Sequence, residues 1–233
     1  MDQLVFGCLA PIMVVQGLWV RLRVPKLPEA KGPRAGVSGM GSTLRILVIG
    51  DSSAAGVGAH LQDQALAGQL VSRLKDKFKV NWKLIAKTGW STRELLHYLS
   101  AMSSATYDIA LTATGVNDIT SRKSIRFCLR EQIKLVEKLR EKFDVPHILM
   151  SGLPPVHRFP SLPEPLRSYI GGRAKQLDNA MSAWSSEQSD CDHIRLDFPV
   201  GPENMAPDGF HPGPKIYAHW AEAAANMIEK RWS

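Results

Sequence analysis

The chain alternates short apolar runs with longer stretches in which apolar side chains recur every three or four residues. Ile46, Leu47, Val48 and Ile49 run without a break into Gly50-Asp51-Ser52 and then into small residues up to Gly58. A short apolar run bounded by glycine predicts a buried parallel strand, here over 45–49. Leu66, Leu70, Val71, Leu74 and Phe78 fall on one face of a helix over 64–78. Residues 80–86 predict a second strand. The turn Lys87-Thr88-Gly89-Trp90 then leads into Ser91-Thr92-Arg93-Glu94, whose Ser-x-x-Glu spacing predicts a capped helix running to about residue 102. A third strand is predicted over 107–113, ending in Thr114-Gly115-Val116-Asn117-Asp118. Ile125, Cys128, Leu129, Ile133, Val136, Leu139 and Phe143 line one face of a long helix over 122–143. A fourth strand over 147–151 precedes a proline-rich loop (Pro154, Pro155, Pro160, Pro163, Pro165), a helix over 166–188 and a short fifth strand over 194–198. The last helix, over 214–230, is entered through Pro207-Asp208-Gly209-Phe210-His211-Pro212.

Alternating strands and helices, with strands apolar on both faces, predict an α/β fold. Right-handed crossovers place helices on both sides of a parallel, doubly wound sheet. In such folds the functional loops leave the C-terminal ends of the strands. Ser52, Gly89, Asn117 and the pair Asp208 and His211 all lie in loops of that kind, so residues far apart in sequence meet on one edge of the sheet. No internal repeat is present.

The N-terminus reads differently. Residues 4–20 form a run of 17 without a charge, interrupted by Pro11, Gln16 and two glycines. As a helix this spans roughly 25 Å, slightly less than the ~30 Å hydrocarbon core of a bilayer. Asp2 precedes the run, and Arg21, Arg23 and Lys26 follow it. That asymmetry is wrong for a cleaved secretory signal. It predicts an uncleaved membrane anchor through residues 4–20 with the following chain on the cytoplasmic side. The alternative is a soluble cytoplasmic protein whose N-terminal helix packs on its own body or on a partner. Residues 24–43 are rich in proline and glycine and read as a tether, which divides the chain into an N-terminal segment, 1–43, and a body, 44–233.

Composition narrows the function classes. The chain has 233 residues, 44% of them apolar and 22% charged, which fits a globular protein and excludes a disordered one. The net charge of +7 is shared between residues 1–36, which hold +3, and the rest. The body has no basic stripe with interleaved aromatics, so no nucleic-acid partner is expected. Cys8, Cys128 and Cys191 lack metal-ligand spacing, as do His60, His97, His147, His157, His193 and His219, so neither a metal nor a disulfide framework is expected. Gly50 to Gly58 lacks the Gly-Lys-Ser/Thr of a phosphate loop and the Gly-x-Gly-x-x-Gly of a dinucleotide site.

Each chemical candidate, taken singly, has a plain structural reading. Ser52 after a strand serves as a helix N-cap, Asn117-Asp118 as a turn or cap, and Asp208 with His211 as an Asx turn beside a surface histidine. Together and in this order, Gly50-Asp51-Ser52 with Gly56 and Gly58, Gly89, Gly115-Val116-Asn117-Asp118 and Asp208-Gly209-Phe210-His211 resemble the motif blocks of the SGNH hydrolases, the GDSL-like esterases and lipases. The resemblance covers about residues 44–230, with the second block reduced to Gly89 and Thr92. It implies a three-layer α/β/α sandwich with a mostly parallel five-stranded sheet of flavodoxin-like topology, and a serine esterase acting on carboxylic acid esters without a cofactor; the expected anchor points to lipid-like or short- to medium-chain acyl esters. By the same resemblance Ser52 is the nucleophile, His211 the base and Asp208 its orienting carboxylate. The oxyanion donors are the backbone N–H groups of Ser52 and Gly89 and the side-chain amide of Asn117. Asp51 has a structural role in this scheme. The Gly-x-Ser-x-Gly elbow of the α/β-hydrolases is missing, and Asp and His stand three apart, unlike in that fold. Trp90 and Phe210 are candidates for the acyl pocket or for ordinary core, and Phe159 for a cap over the substrate. Two rivals remain: an acyltransferase of the same fold, and a catalytically silent binding module.

Overall fold

The computed structural model describes residues 3–121, 123–201 and 203–232. At its centre is a six-stranded sheet made of β1 (Ala35–Ser38), β2 (Ser42–Gly50), β3 (Phe78–Ala86), β4 (Ile109–Ala113), β5 (Ile148–Ser151) and β6 (Cys191–Ile194). The spatial order is β1-β3-β2-β4-β5-β6. The neighbours from β3 to β6 pair in parallel, and β1 lies antiparallel on β3. The helices are α1 (Gln3–Arg23), α2 (Leu66–Leu74), α3 (Thr92–Ala101), α4 (Val116–Thr120), α5 (Ile125–Phe143), α6 (Leu166–Ser186) and α7 (Pro214–Trp232). α2 packs on α7, whereas α3 packs on α5 and α5 on α6, which gives a helical layer on each face of the sheet. This is the expected α/β/α sandwich with a mostly parallel sheet.

The chain steps from β2 outward to β3, then returns past β2 to β4 and continues in that direction. The strand order therefore reverses at β2, and ligands of open α/β sheets bind in the crevice beyond such a reversal. Ile46, Leu47, Val48 and Ile49 of β2 are buried on both faces, as the uninterrupted apolar run requires.

Three expectations need correction. The sheet has six strands, not five, and the extra one, β1, falls inside the stretch read as a tether. None of its four residues is buried, so no hydrophobic pattern marks it. It is held by backbone pairing to the edge of β3, and Gly36 lies close beneath the Trp82 indole. The last strand is Cys191–Ile194, not 194–198. Residues 194–198 do alternate buried and exposed, which is the strand signature. However, β5 ends at Ser151 opposite Ile194, so the extended segment beyond has no partner there and turns Leu196 and Phe198 toward a cleft instead.

The third correction concerns the N-terminus. Among the described residues no helix is long and apolar enough to cross a membrane, which overturns the anchor and the membrane placement expected of residues 4–20. α1 contains Pro11, Gln16 and Gly17 and ends in Arg21 and Arg23, which dilutes its apolar character. It lies on the body: Met13 is buried, the Gln16 amide donates to the Glu164 carbonyl, and Gln16 Oε1 accepts the Leu166 N–H at 3.1 Å.

Gln16 adds two hydrogen bonds to the apolar contacts of α1, and the helix should loosen when that side chain is cut. Gln16→Ala is expected to speed amide hydrogen exchange across residues 9–23 and to lower the unfolding free energy by about 1 kcal/mol. Unchanged exchange across α1 would show that these two bonds do not hold it.

Candidate active site

The loop after β2 carries Ser52. Its helix-cap reading is corrected by the structure, because no helix starts there. Residues 51–58 form successive turns, with the Ala55 N–H on the Asp51 carbonyl at 2.9 Å and the Val57 N–H on the Ser52 carbonyl at 3.0 Å. Gly56 and Gly58 have φ of +82° and +97°, a region that side-chain-bearing residues rarely occupy and that prevents a continuous helix. α2 begins only at Leu66. Asp51 supports the first turn, its Oδ1 accepting the Ser53 N–H at 3.0 Å.

Ser52 Oγ lies 3.0 Å from His211 Nε2, and His211 Nδ1 lies 2.6 Å from Asp208 Oδ2. The second oxygen of Asp208 accepts the N–H groups of Phe210 and His211 at 2.9 Å each. Burial raises the Asp208 carboxyl, but the His211 ring and these two backbone donors outweigh it and hold the group below its ordinary range. A carboxylate ionised in this way keeps the ring proton on Nδ1 and leaves Nε2 free to accept from the serine hydroxyl.

Asn117 stands in the first turn of α4, after Gly115 at φ +127°. Its Nδ2 donates to the Trp90 carbonyl at 3.0 Å and to Asp51 Oδ2 at 3.4 Å. The neighbouring Asp118 points inward and takes the Thr92 N–H at 3.0 Å and the Thr92 hydroxyl at 2.5 Å, while Gln132 Nε2 reaches Thr92 Oγ1 at 2.9 Å. The turn that carries Asn117 is thereby fastened to the first turn of α3. Gly89 sits just before that helix at φ +85°, solvent-exposed and with no neighbour within 4 Å of where a Cβ would be. Left-handed backbone, not crowding, explains the glycine.

A cleft opens beside Ser52, Asn117 and His211. Phe159 and Phe210 line it, their rings edge to face at 5.4 Å. Trp90 is not brought to the cleft: its ring lies 4.9 Å from Tyr98 and carries the Lys87 ammonium at 5.9 Å. Gly89 does not line the cleft either. Sequence reasoning missed the apolar wall of Leu153, Leu196, Phe198, Met205, Ile216 and Trp220. The strand-like alternation at 194–198 was the signal for two of these; the others carry no pattern that separates them from core. Among the described residues no group of three or more His, Cys, Asp or Glu side chains is arranged to hold a metal.

Asp51 is an unexpected feature of the site. It is fully buried, and desolvation pushes its carboxyl up to about 7, against the pull of the Ser53 N–H and of nearby His211. Other groups close enough to act on it are Asp118 and the buried Tyr217.

The fold is an α/β/α sandwich with the candidate site at its strand reversal. Residues 48–219 match the family described as GDSL-like Lipase/Acylhydrolase, and the chain belongs to that family, which places it among the hydrolases. Similar solved structures include a member of the lipolytic protein G-D-S-L family from Veillonella parvula, with TM-score 0.63 and 14% identity over 80% of this chain and 98% of that one. Est24, described as a carbohydrate acetylesterase from Sinorhizobium meliloti, has TM-score 0.63 and 16% identity, covering 80% of this chain and 99% of its own. TesA has TM-score 0.61 and 20% identity, covering 80% and 98%. At these identities the likeness is one of fold. No curated protein sequence matches the chain.

A raised carboxyl in the folded state gives stability at low pH that is lost as pH rises. Below about pH 4 Asp51 is protonated in both states; between there and about 7 only the folded state keeps the proton, and stability falls. Asp51→Asn removes this dependence. Compared with the native chain, the variant should gain stability between pH 4 and 8, on the order of 4 kcal/mol across the range. Denaturant titrations of both chains at several pH values measure it. A pH-independent difference would mean that Asp51 does not change its proton affinity on folding.

Proposed function

We propose that the chain is a serine esterase that hydrolyses carboxylic acid esters through an acyl-enzyme, with Ser52 as nucleophile, His211 as general base and acid, and Asp208 as the residue that orients the imidazole. The observation that carries this reading is the continuous hydrogen-bonded path from Ser52 Oγ to His211 Nε2 and from His211 Nδ1 to Asp208, at 3.0 and 2.6 Å. A serine hydroxyl is a weak nucleophile until a base takes its proton. Here the base is in contact with it, and the ionised Asp208 stabilises the imidazolium that forms.

In acylation the Ser52 oxygen bonds to the ester carbonyl carbon and its proton passes to His211 Nε2. The tetrahedral intermediate collapses as the carbon–oxygen bond to the alcohol breaks, and His211 returns the proton to the departing oxygen. In deacylation water takes the place of the alcohol, gives its proton to His211 and releases the acid and Ser52. The negative oxygen of each intermediate is met by Asn117 Nδ2 and by the backbone N–H of Ser52. The apolar lining of the cleft and the family membership both support an ester substrate.

The test is a panel of p-nitrophenyl esters from acetate to palmitate with the native chain and Ser52→Ala. Hydrolysis by the native chain and a loss of at least 10³-fold in kcat for Ser52→Ala are expected. No Ser52-dependent hydrolysis of any ester would refute the reading, and faster ester formation than hydrolysis with added alcohol would favour the transferase. Asn117→Ala should lower kcat by roughly 10²–10³-fold with little change in KM, because its bond to the oxyanion is completed only in the transition state. A change confined to KM would instead make Asn117 a substrate-positioning residue.

A further inference from the structure

We infer that the apolar end of the cleft is a closed acyl pocket that selects uncharged chains of about four to six carbons; the inference rests on the esterase reading above. The cavity volume is about 50 Å³. Its polar lining groups come from the loops that carry the reacting residues, at Asp51, Ser52, Ser53, Thr114, Asn117 and His211. Beyond them the wall is hydrocarbon and aromatic ring. Trp220 brings one polar atom to this end, its Nε1, and that atom is occupied by a 3.0 Å bond to Ser151 Oγ. Ile216, Trp220 and Leu196 are only 3%, 4% and 4% exposed, so this part of the wall is backed by the core.

The chemistry decides which half of an ester belongs there. The acyl group stays bonded to Ser52 through both half-reactions, whereas the alcohol must leave and be replaced by water. A dead end suits the part that stays and would trap the part that leaves. The same wall sets the tail's chemistry. A terminal carboxylate or phosphate would be stripped of water with no partner within the pocket, a cost far larger than any contact there could offset.

Size sets the chain length. One water needs ~10–15 Å³ on this measure, so the cavity takes roughly three to five groups of water or methylene size. That volume includes the part beside Ser52, Asn117 and His211, so with the carbonyl carbon at Ser52 a hexanoyl group is the upper limit. The floor is not readily moved: Trp220 is fixed to Ser151, and Phe198 packs against it with ring centroids 6.2 Å apart.

The experiment is a series of ethyl esters with acyl groups of two, four, six, eight and ten carbons. kcat/KM should rise by up to about fourfold per methylene until the pocket is full, the ratio that burial of a methylene provides, and then fall at least tenfold by ten carbons. Phe198→Ala should move the maximum to longer chains and Met205→Phe to shorter ones, so either variant tests the wall if the other fails to fold. A maximum at acetate, or a profile still rising at ten carbons, would overturn the pocket and leave the esterase reading in place. Binding to Ser52→Ala by calorimetry separates the two ideas. Tighter binding of ethyl hexanoate than of ethyl acetate and ethyl decanoate supports the pocket even without turnover, and equal binding of all three overturns it.

Discussion

The site depends on two loops, from opposite ends of the body, being pressed together without side chains between them. The backbone of Gly58 lies so close to the Pro212 carbonyl that a Cβ at 58 has no room. Tyr217, fully buried at the start of α7, donates its hydroxyl to the Val57 carbonyl at 2.6 Å. On the other side, Met205 and Pro212 form a bridge, and the Ala206 N–H meets the His211 carbonyl at 2.9 Å. A buried hydroxyl or carbonyl left without its partner costs about 1–3 kcal/mol, so each loop is held in register by the other. The 3.0 Å contact between Ser52 and His211, 159 residues apart, is the outcome.

A second fastening works by buried polar groups. Asp118 has its pKa raised, because burial outweighs the Thr92 and Gln132 donors that stabilise its charge. Those donors come from the start of α3 and from α5, so one carboxylate ties three helices at the sheet edge. Polar groups in a low-dielectric interior are costly unless each finds a partner, and once paired they specify one arrangement. The turn with Gly89 and the turn with Asn117 are therefore set against each other by Thr92 and Asp118. The direct bond from Asn117 to the Trp90 carbonyl is a further link between them.

What the sequence made legible followed from how much each feature needed a particular residue type. β2 was visible because a strand buried on both faces must be apolar throughout. The blocks at Ser52, Asn117 and Asp208 to His211 were visible because their short spacings are local, and a parallel sheet brings such loops to one edge. β1 was not visible: edge pairing uses backbone groups that any residue carries, and its side chains bury nothing. Leu196 and Phe198 gave a true signal, an extended segment with one face inward, but periodicity does not say whether that face meets a strand or a cavity. In α1, Gln16 interrupts an apolar run. Its carbonyl and amide instead fit the free backbone groups at Glu164 and Leu166.

Asp51 connects these loops through charge as well as geometry. Both N–H groups of the Asn117 amide are engaged, one by the Trp90 carbonyl at 3.0 Å and one by Asp51 at 3.4 Å. In the proposed mechanism the same amide must turn a donor toward the oxyanion, and the longer of its two bonds is the one it can give up at less cost. The Trp90 carbonyl then keeps the amide plane in place while the other N–H changes partner. An ionised Asp51 competes with the oxyanion for that N–H, and a protonated one competes less. A buried carboxyl whose pKa is pushed up to about 7 thus spends part of the neutral range in the form that releases the donor. In that mechanism the burial of Asp51, which costs stability, also weakens its hold on the Asn117 amide.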